Sequence, residues 1–355
     1  MNVADLFIAG IKAIIEYVSA HVLTCLVPAF FIAGAMTALL PKENITRLLG
    51  QKAPKHKAYP LAVVAGLMLA VCSCTILPLF AGIKKKGAGT GPALAFLYTA
   101  PATNIMAILF TGSVLGWNFA IFRIVLSVAF AILIGLIISA LFKEEDARDE
   151  KNAVSEVMSA EKQASEELPF FQKHRLFAFF FTLVAILIAG TRVKGPAKYM
   201  IISLLIIILA VLAKLLFNNE EIKSWFFETW GFTKKIFPLL LVGIFIAGVL
   251  TALLPQKFLA TFMGSSTVSA NLIAVLFGVF MYFPTLVEVP MAKMFLNLGM
   301  AKGPLLAYLL ADPVISLASI LVVRKFLGNK RTLVYVGLII VFTTISGLIY
   351  GAIVD

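Results

Sequence analysis

Charged side chains are scarce in this sequence: they make up 14% of its 355 residues, whereas 61% are hydrophobic. No soluble globular domain of this length has such a composition, which excludes water as the main solvent of the chain. Histidine is rarer still, and its three copies are too scattered along the sequence to form a zinc-hydrolase or haem site. The composition therefore excludes a soluble protein and a histidine-based metal enzyme.

Three further absences narrow the function. Residues 82–91 are rich in glycine and lysine but lack the Gly-x-x-x-x-Gly-Lys-Ser/Thr spacing that cradles phosphates, so ATP-driven transport by this chain alone is unsupported. All three cysteines, Cys25, Cys72 and Cys74, lie in apolar segments, which argues against the disulfide framework of a secreted protein. No basic region followed by a small-residue cleavage site opens the chain, so we expect no removable signal peptide.

What the sequence does contain is a series of long apolar segments between charged connectors. A bilayer core about 30 Å thick needs roughly 20 apolar residues for each helical span. Ten segments have about this length, and they cover residues 19–40, 60–83, 88–112, 118–142, 174–191, 198–217, 236–254, 268–292, 303–323 and 332–353. The sequence therefore predicts an all-α polytopic membrane protein, which we expect in the cytoplasmic membrane of a prokaryote.

The net charge of +12 is also explained by a location in the membrane. Lysine and arginine are spread over the connectors rather than along one amphipathic face, which is typical of positive-inside topology and contact with anionic lipid. We therefore expect a lipid bilayer and a small-molecule or ion substrate as partners, and no nucleic acid. Homo-oligomers are compatible with the sequence.

An internal repeat is visible in the glycine and proline residues. Residues 31–41 recur as residues 245–255 at a spacing of 214, and residues 91–101 recur as residues 303–313 at a spacing of 212. Chance similarity between apolar segments would not align the glycine and proline positions as well, so we predict two pseudo-symmetric repeats. They occupy residues 1–142 and 220–355, joined by a cytoplasmic linker over 143–173 and a transmembrane pair over 174–219. The linker opens with a charged run and is predicted to be a flexible, partly helical tether.

The distribution of charge bears on whether every segment crosses the membrane. If segments 60–83 and 268–292 enter the membrane and return to the same side, 21 Lys and Arg residues collect on one side and seven on the other. If all ten segments cross, neither side of the membrane has a clear excess of Lys and Arg residues. The positive-inside rule therefore favours eight spans with two re-entrant hairpins, which makes the repeats inverted, over ten spans.

One candidate site lies in the first hairpin. Cys72, Ser73 and Cys74 precede Pro78, which disfavours a continuous helix and leaves backbone groups that must face protein or a water-filled cavity. Two thiols at positions i and i+2 could then converge on a soft metal ion. The alternative is that both cysteines are small, buried apolar residues.

Further candidates lie near proline-interrupted helices. Pro101, followed by Thr103 and Asn104, recurs as Pro313 after Asp312, and two helices broken at equivalent places indicate a transporter binding site. A carboxylate within a membrane is costly and marks a proton or ion site, so we predict this role for Glu288 and Asp312.

Each of these charged residues also has a plainer interpretation. Glu288 could simply pair with Lys293, and Asp312 could simply cap the next half-helix. Arg123 is predicted to be an interfacial anchor whose charged end reaches the membrane surface.

These residues in this order resemble a known family. Cys72, Ser73, Cys74 and Pro78, followed by Gly87 and Ala88 and by residues 95–101, are similar to the predicted permease family that includes organoarsenical efflux permeases and metal-efflux permeases. The resemblance implies export of metal- or metalloid-containing solutes, with the cysteine pair as a thiol site. Thr75 and Ala102 stand where family members often have Gly and Glu, respectively.

The predicted function is thus a secondary-active permease that exports a soft metal or metalloid solute, with proton coupling and without a cofactor or enzyme activity. Its substrate site is predicted to comprise Cys72, Ser73, Cys74, Thr75, Pro101, Thr103 and Asn104. Two alternatives remain open. The first is a membrane thiol oxidoreductase, which requires an accessible sulfur. The second is a scaffold that transports nothing and whose interior is packed solid.

Overall fold

The computed structural model describes residues 3–19, 26–39, 42–51, 53–69, 73–146, 170–192, 197–253, 261–280 and 285–354. Every long regular element within these ranges is an α-helix, as the composition predicts. The helices of the first part of the chain are α1 Val3–Tyr17, α2 Val27–Leu39, α3 Lys42–Leu49, α4 Lys55–Leu69, α5 Ser73–Lys85, α6 Thr90–Ala102, α7 Ile105–Val114 and α8 Trp117–Leu141. Those of the second part are α9 Phe170–Arg192, α10 Ala197–Leu216, α11 Asn219–Leu253, α12 Val268–Phe280, α13 Thr285–Asn297, α14 Lys302–Ala311, α15 Leu317–Leu327 and α16 Asn329–Val354.

Several of these helices are suited to a bilayer. Trp117–Leu141, Asn219–Ile246 and Asn329–Val354 are each long and apolar enough to cross a membrane, and α6 with α7 forms a further candidate bent by 45°. Large apolar side chains on α8 and α16 face outward, as with Val125 at 60% exposed and Val341 at 52%. Such exposure suits contact with lipid, because lipid tails are as apolar as the side chains. The chain is therefore a helical membrane protein.

Glycines allow two helices to approach closely in the same way in each half of the chain. A β-carbon added to Gly135 on α8 would lie 2.7 Å from the Gly91 carbonyl oxygen on α6. A β-carbon added to Gly347 on α16 would lie 2.7 Å from the Gly303 carbonyl oxygen on α14. Small residues allow such close backbone approach between membrane helices. Gly91 and Gly303 are 212 residues apart, as are Gly135 and Gly347, and 212 is the spacing of the predicted repeat.

The helical hairpins α4–α5 and α12–α13, which we call the first and second hairpins, are also attached in equivalent ways. The backbone amide of Gly89, which follows the first hairpin, donates to the carbonyl of Leu49, which precedes it, over 2.7 Å. The amide of Ala301 donates to the carbonyl of Met263 over 2.8 Å around the second hairpin. Each hairpin therefore begins and ends at the same end of the molecule. The hairpin tips, residues 70–72 and 281–284, fall outside the described residues.

Polar contacts at one end of the molecule join the connectors that carry most of the positive charge. Thr90 donates to the Asp146 carboxylate over 2.5 Å, and Asp146 also lies 3.3 Å from an Nη atom of Arg331. Lys85, at the end of the first hairpin, pairs with Glu228 on α11 at 2.6 Å.

These contacts also correct one expectation about the linker. Asp146 was expected in a solvated tether, but its side chain is buried because it bridges α6 and the start of α16. Residues 147–169 of the predicted linker lie outside the described residues.

Candidate functional site

Two interrupted helices meet between the halves of the chain. The first break, residues 103–104, separates α6 from α7, and the second break, residues 312–316, separates α14 from α15. The Tyr98 hydroxyl on α6 donates to the carbonyl of Leu310 on α14 over 3.3 Å, and these two residues occupy equivalent positions 212 residues apart. The breaks are therefore held close to each other by the helices that precede them.

A buried ion pair joins the first break to the second hairpin. An Nη atom of Arg123 lies 3.0 Å from each carboxylate oxygen of Glu288, and both side chains are 0% exposed. The same guanidinium donates to the carbonyl of Ala102 over 3.3 Å and to the hydroxyl of Thr111 over 3.2 Å. Arg123 thus binds the free carbonyl at the end of α6, the next half-helix and the opposite half of the chain at once.

This geometry overturns two interpretations made from the sequence. Arg123 is not an interfacial anchor, because its whole side chain is enclosed and its charge is matched by Glu288. Lys293 is not the partner of Glu288, since it is exposed on α13 while the carboxylate binds Arg123. A charged side chain in a bilayer costs about 2.5–3.5 kcal/mol on insertion scales, and a well-hydrogen-bonded partner offsets that cost.

A second buried carboxylate lies at the second break without such a partner. Asp312 terminates α14 and is 4% exposed. Neither of its carboxylate oxygens has a hydrogen-bonding partner of ordinary geometry among the described residues, and the same is true of the neighbouring Tyr308 hydroxyl. The charges of Glu288 and Arg123 lie close enough to act on it. Three ionisable side chains therefore share one buried region.

The N-cap interpretation of Asp312 is wrong. Helix α15 is capped by Ser316, whose hydroxyl accepts from the amide of Ser319 at 3.3 Å. The Ser319 hydroxyl in turn accepts from the amide of Ser316 at 2.8 Å, which completes a capping box. Since two serines satisfy the start of α15, Asp312 is not needed there.

The other residues of the predicted substrate site line the first break or the first hairpin. Pro101, Thr103 and Asn104 are buried, and the Thr103 hydroxyl donates to the carbonyl of Thr99 over 2.7 Å. Ser73 and Thr75 are buried in the first turn of α5, which packs against α6. The first hairpin thus packs against α6, the helix that ends at the first break.

The predicted thiol site falls on residues that are not described. Cys25 and Cys72 lie outside the described residues, and so does the side chain of Cys74. Within the described part of the chain, no three His, Cys, Asp or Glu side chains come together in a group that could hold a metal ion. The metal-binding role of Cys72 and Cys74 stays a prediction.

Sequence reasoning missed Arg123, Thr111 and Tyr308. The sequence could have indicated a functional role for Arg123, because the free-energy cost of burying a charge in the membrane applies to a guanidinium as it does to the Glu288 carboxylate. The pairing itself was not visible, since 165 residues separate Arg123 from Glu288. Thr111 and Tyr308 gave no signal in the sequence.

Comparison with known proteins gives a consistent result. The profile of a family described as predicted permease matches residues 7–352. A UPF0718 protein of Methanocaldococcus jannaschii is 39% identical over 99% of this chain and 97% of its own length. The UPF0718 protein YraQ of Escherichia coli is 22% identical over 90% of this chain and 73% of its own length. No solved structure matches the chain.

Proposed function

The chain belongs to the predicted permease family, and from that premise we propose that it is a secondary-active permease that exports a soft metal or metalloid solute with proton coupling. Membership of this family favours a transporter over an enzyme. The proposal goes further in naming the solute class, the direction and the coupling.

One observation carries the proposal of transport: buried charges from both halves gather where two equivalent helices are broken. Arg123 comes from the first half, while Glu288 and Asp312 come from the second. Buried charge is expensive, and a protein needing only a stable core would gain from apolar residues there. Interrupted helices supply unpaired backbone groups for a solute, and movement of one half against the other can then expose that site to each side.

The attachment of the hairpins supports an inverted arrangement with eight spans and two re-entrant hairpins. A hydrogen bond between Gly89 and Leu49 requires residues before and after the first hairpin to lie on the same side of the membrane. Ten spans would separate them by the thickness of the bilayer. The contacts of Lys85 and Asp146 place further positively charged connectors at that end, which we assign to the cytoplasm of a multi-pass membrane protein.

Accessibility labelling tests this topology. Single cysteines replacing Lys52 and Lys85 in a cysteine-free background should react with a membrane-impermeant maleimide from the same side of sealed vesicles. Reaction from opposite sides would restore ten spans. Lys293→Cys, in α13 of the second hairpin, should react from the other side.

The class of solute rests on Cys72 and Cys74. Their neighbours Ser73 and Thr75 are buried, and α5, which they open, packs against α6, the helix that ends at the first break. Thiolates prefer soft ions such as copper and zinc, and they also bind trivalent arsenic. A soft metal or an organoarsenical is therefore the solute that this pair would select.

Transport by purified protein tests the proposal. In proteoliposomes, the parent should move one or more members of a panel of trivalent organoarsenicals and soft divalent metals, faster with a proton gradient. The Cys72→Ser/Cys74→Ser double variant should lose this transport, because oxygen replaces soft sulfur at similar size. Cys25→Ser is the matched control and should behave as the parent. Unchanged transport of every thiophilic solute by the double variant would remove the thiol site.

A further inference from the structure

Asp312 and Glu288 are not equivalent in the structure, and the difference assigns them different roles. We propose that Asp312 alone takes up and releases the coupling proton, while Glu288 stays ionised in its pair with Arg123. This inference rests on the proposed proton-coupled transport and specifies which group carries the proton.

The charge balance of the buried region is the first argument. Arg123 contributes one positive charge and Glu288 one negative charge, at 3.0 Å from each other. Ionised Asp312 would add an uncompensated negative charge in the same enclosed region. A buried carboxylate without a countercharge takes up a proton and becomes neutral. The region is therefore balanced when Asp312 carries a proton.

Arg123 cannot serve both carboxylates in this conformation. Its Nε and one Nη atom donate to Ala102 and Thr111, and the other Nη atom lies 3.0 Å from both oxygens of Glu288. Asp312 feels the guanidinium only as a charge at a distance. Both oxygens of Asp312 lack a hydrogen-bonding partner of ordinary geometry, which leaves one of them free to hold a proton.

The position of Asp312 in its helix adds a second argument. It terminates α14, where backbone carbonyls carry the partial negative charge of the helix dipole. An anion is disfavoured at this end, so the helix itself favours the neutral acid. Tyr308, one turn earlier, places its hydroxyl next to the carboxyl group and interacts with it.

Helix α12 approaches Asp312 closely at Gly278. On α12, a β-carbon added to Gly278 would lie 3.4 Å from the Asp312 β-carbon. The ionisable groups that act on Asp312 are Tyr308 on its own helix, Glu288 on α13 and Arg123 on α8. A proton requires no coordination shell, unlike a metal cation.

The proton pathway is balanced in each cycle. In the outward-open state the solute leaves, and hydronium on the outer side gives one proton to an Asp312 oxygen, which forms the neutral carboxylic acid and leaves water. After the halves rearrange to the inward-open state, the acid releases that proton to water on the cytoplasmic side, and the next solute binds. One proton enters for each turnover, and the ion pair of Glu288 and Arg123 keeps its charges throughout.

Infrared spectroscopy tests the assignment without any substrate. A buried neutral carboxylic acid has a C=O stretch well separated from that of a carboxylate. The purified parent should show this band at neutral pH, and Asp312→Asn should lose it. Tyr308→Phe should keep the band but shift its frequency, because the nearest hydroxyl is removed. Asp146→Asn is the matched control, since Asp146 pairs with Arg331 outside this region and its replacement should leave the Asp312 band in place.

Transport separates failure of this inference from failure of the proposed function. Asp312→Asn should lose the acceleration by a proton gradient, at least tenfold if coupling is complete, but should keep exchange of labelled for unlabelled solute. Parent protein that transports without any effect of the gradient, or a C=O band that survives in Asp312→Asn, would overturn the assignment while leaving a permease. Parent protein that transports no member of the panel would overturn the proposed function itself.

Discussion

The two breaks lie at corresponding places in the sequence but differ in length and chemistry: the first covers residues 103–104 and the second residues 312–316. At the first break, Arg123 binds the Ala102 carbonyl at the end of α6 and pairs with Glu288. At the second break, the residue equivalent to Arg123 is Tyr335, and Ser316 and Ser319 cap the following helix in place of any charged group. Asp312 stands there beside the Tyr308 hydroxyl and forms no ion pair with a described residue, whereas the first half has Ala100 at this position.

The comparison distinguishes residues that stabilise the fold in both halves from charged residues that we expect to serve function. The equivalent glycine contacts of Gly135 and Gly347 are shared by both halves, because close helix crossing is needed twice. The charged residues occur once each, so no packing requirement common to the halves explains them. The shared features should therefore govern stability equally in both halves, whereas the charged residues should affect function unequally.

Removing Arg123 should have the largest effect on stability. Arg123→Met leaves Glu288 buried without a partner, and breaking a buried ion pair in this way costs about 3–5 kcal/mol. Thermal unfolding of detergent-solubilised protein, followed by size-exclusion chromatography, should show a strongly lowered midpoint. The double variant Arg123→Met/Glu288→Met should recover most of the stability but not transport. A single variant as stable as the parent would contradict the structural importance of the pair.

Filling the close helix crossings should cost about 1–3 kcal/mol in either half. Gly135→Ala would bring a β-carbon within 2.7 Å of the Gly91 carbonyl, and Gly347→Ala would bring one equally close to the Gly303 carbonyl. Both variants should lower the thermal midpoint to a similar extent. Gly337→Ala on α16 is the control, since a β-carbon there meets nothing within 4 Å and alanine favours the helix. A large effect in one half alone would show that the crossings are not equivalent.

Replacing Asp312 by alanine, the residue at the corresponding position 100, should leave thermal stability unchanged or raise it slightly. Asp312→Ala removes a buried carboxyl group that forms no ion pair with a described residue, and its equivalent Ala100 is fully buried. We expect unchanged or slightly raised thermal stability together with loss of the proton-gradient effect. A marked loss of stability would indicate a structural role for the carboxyl group.

The smallest effect is expected at the surface pair of Lys85 and Glu228. Its side chains are 47% and 21% exposed, and partly exposed pairs contribute at most about 1 kcal/mol. Lys85→Gln should lower the thermal midpoint only slightly, and less in 0.5 M salt than in 0.05 M salt because salt screens the interaction. An effect as large as that of Arg123→Met would contradict the ranking of buried over exposed charge.

The sequence predicted features that depend on local pattern and missed those that depend on distant contact. Apolar length predicted helices, and repeated prolines located both breaks at Pro101 and Pro313. The partner of Arg123 could not be predicted, because the pairing joins two halves whose relative placement no local pattern encodes. The same holds for Asp146, where charge indicated solvent but the fold supplies Arg331 as a buried partner.

The accessibility of the first break tests most directly whether this chain is a transporter. Asn104 lies in that break and is 8% exposed. A single cysteine at this position, in a cysteine-free background, should react with a small membrane-impermeant thiol reagent in both right-side-out and inside-out vesicles, because alternating access opens the site to each side in turn. Reaction from neither side, with an unchanged fold, would show a solidly packed interior and would contradict the account.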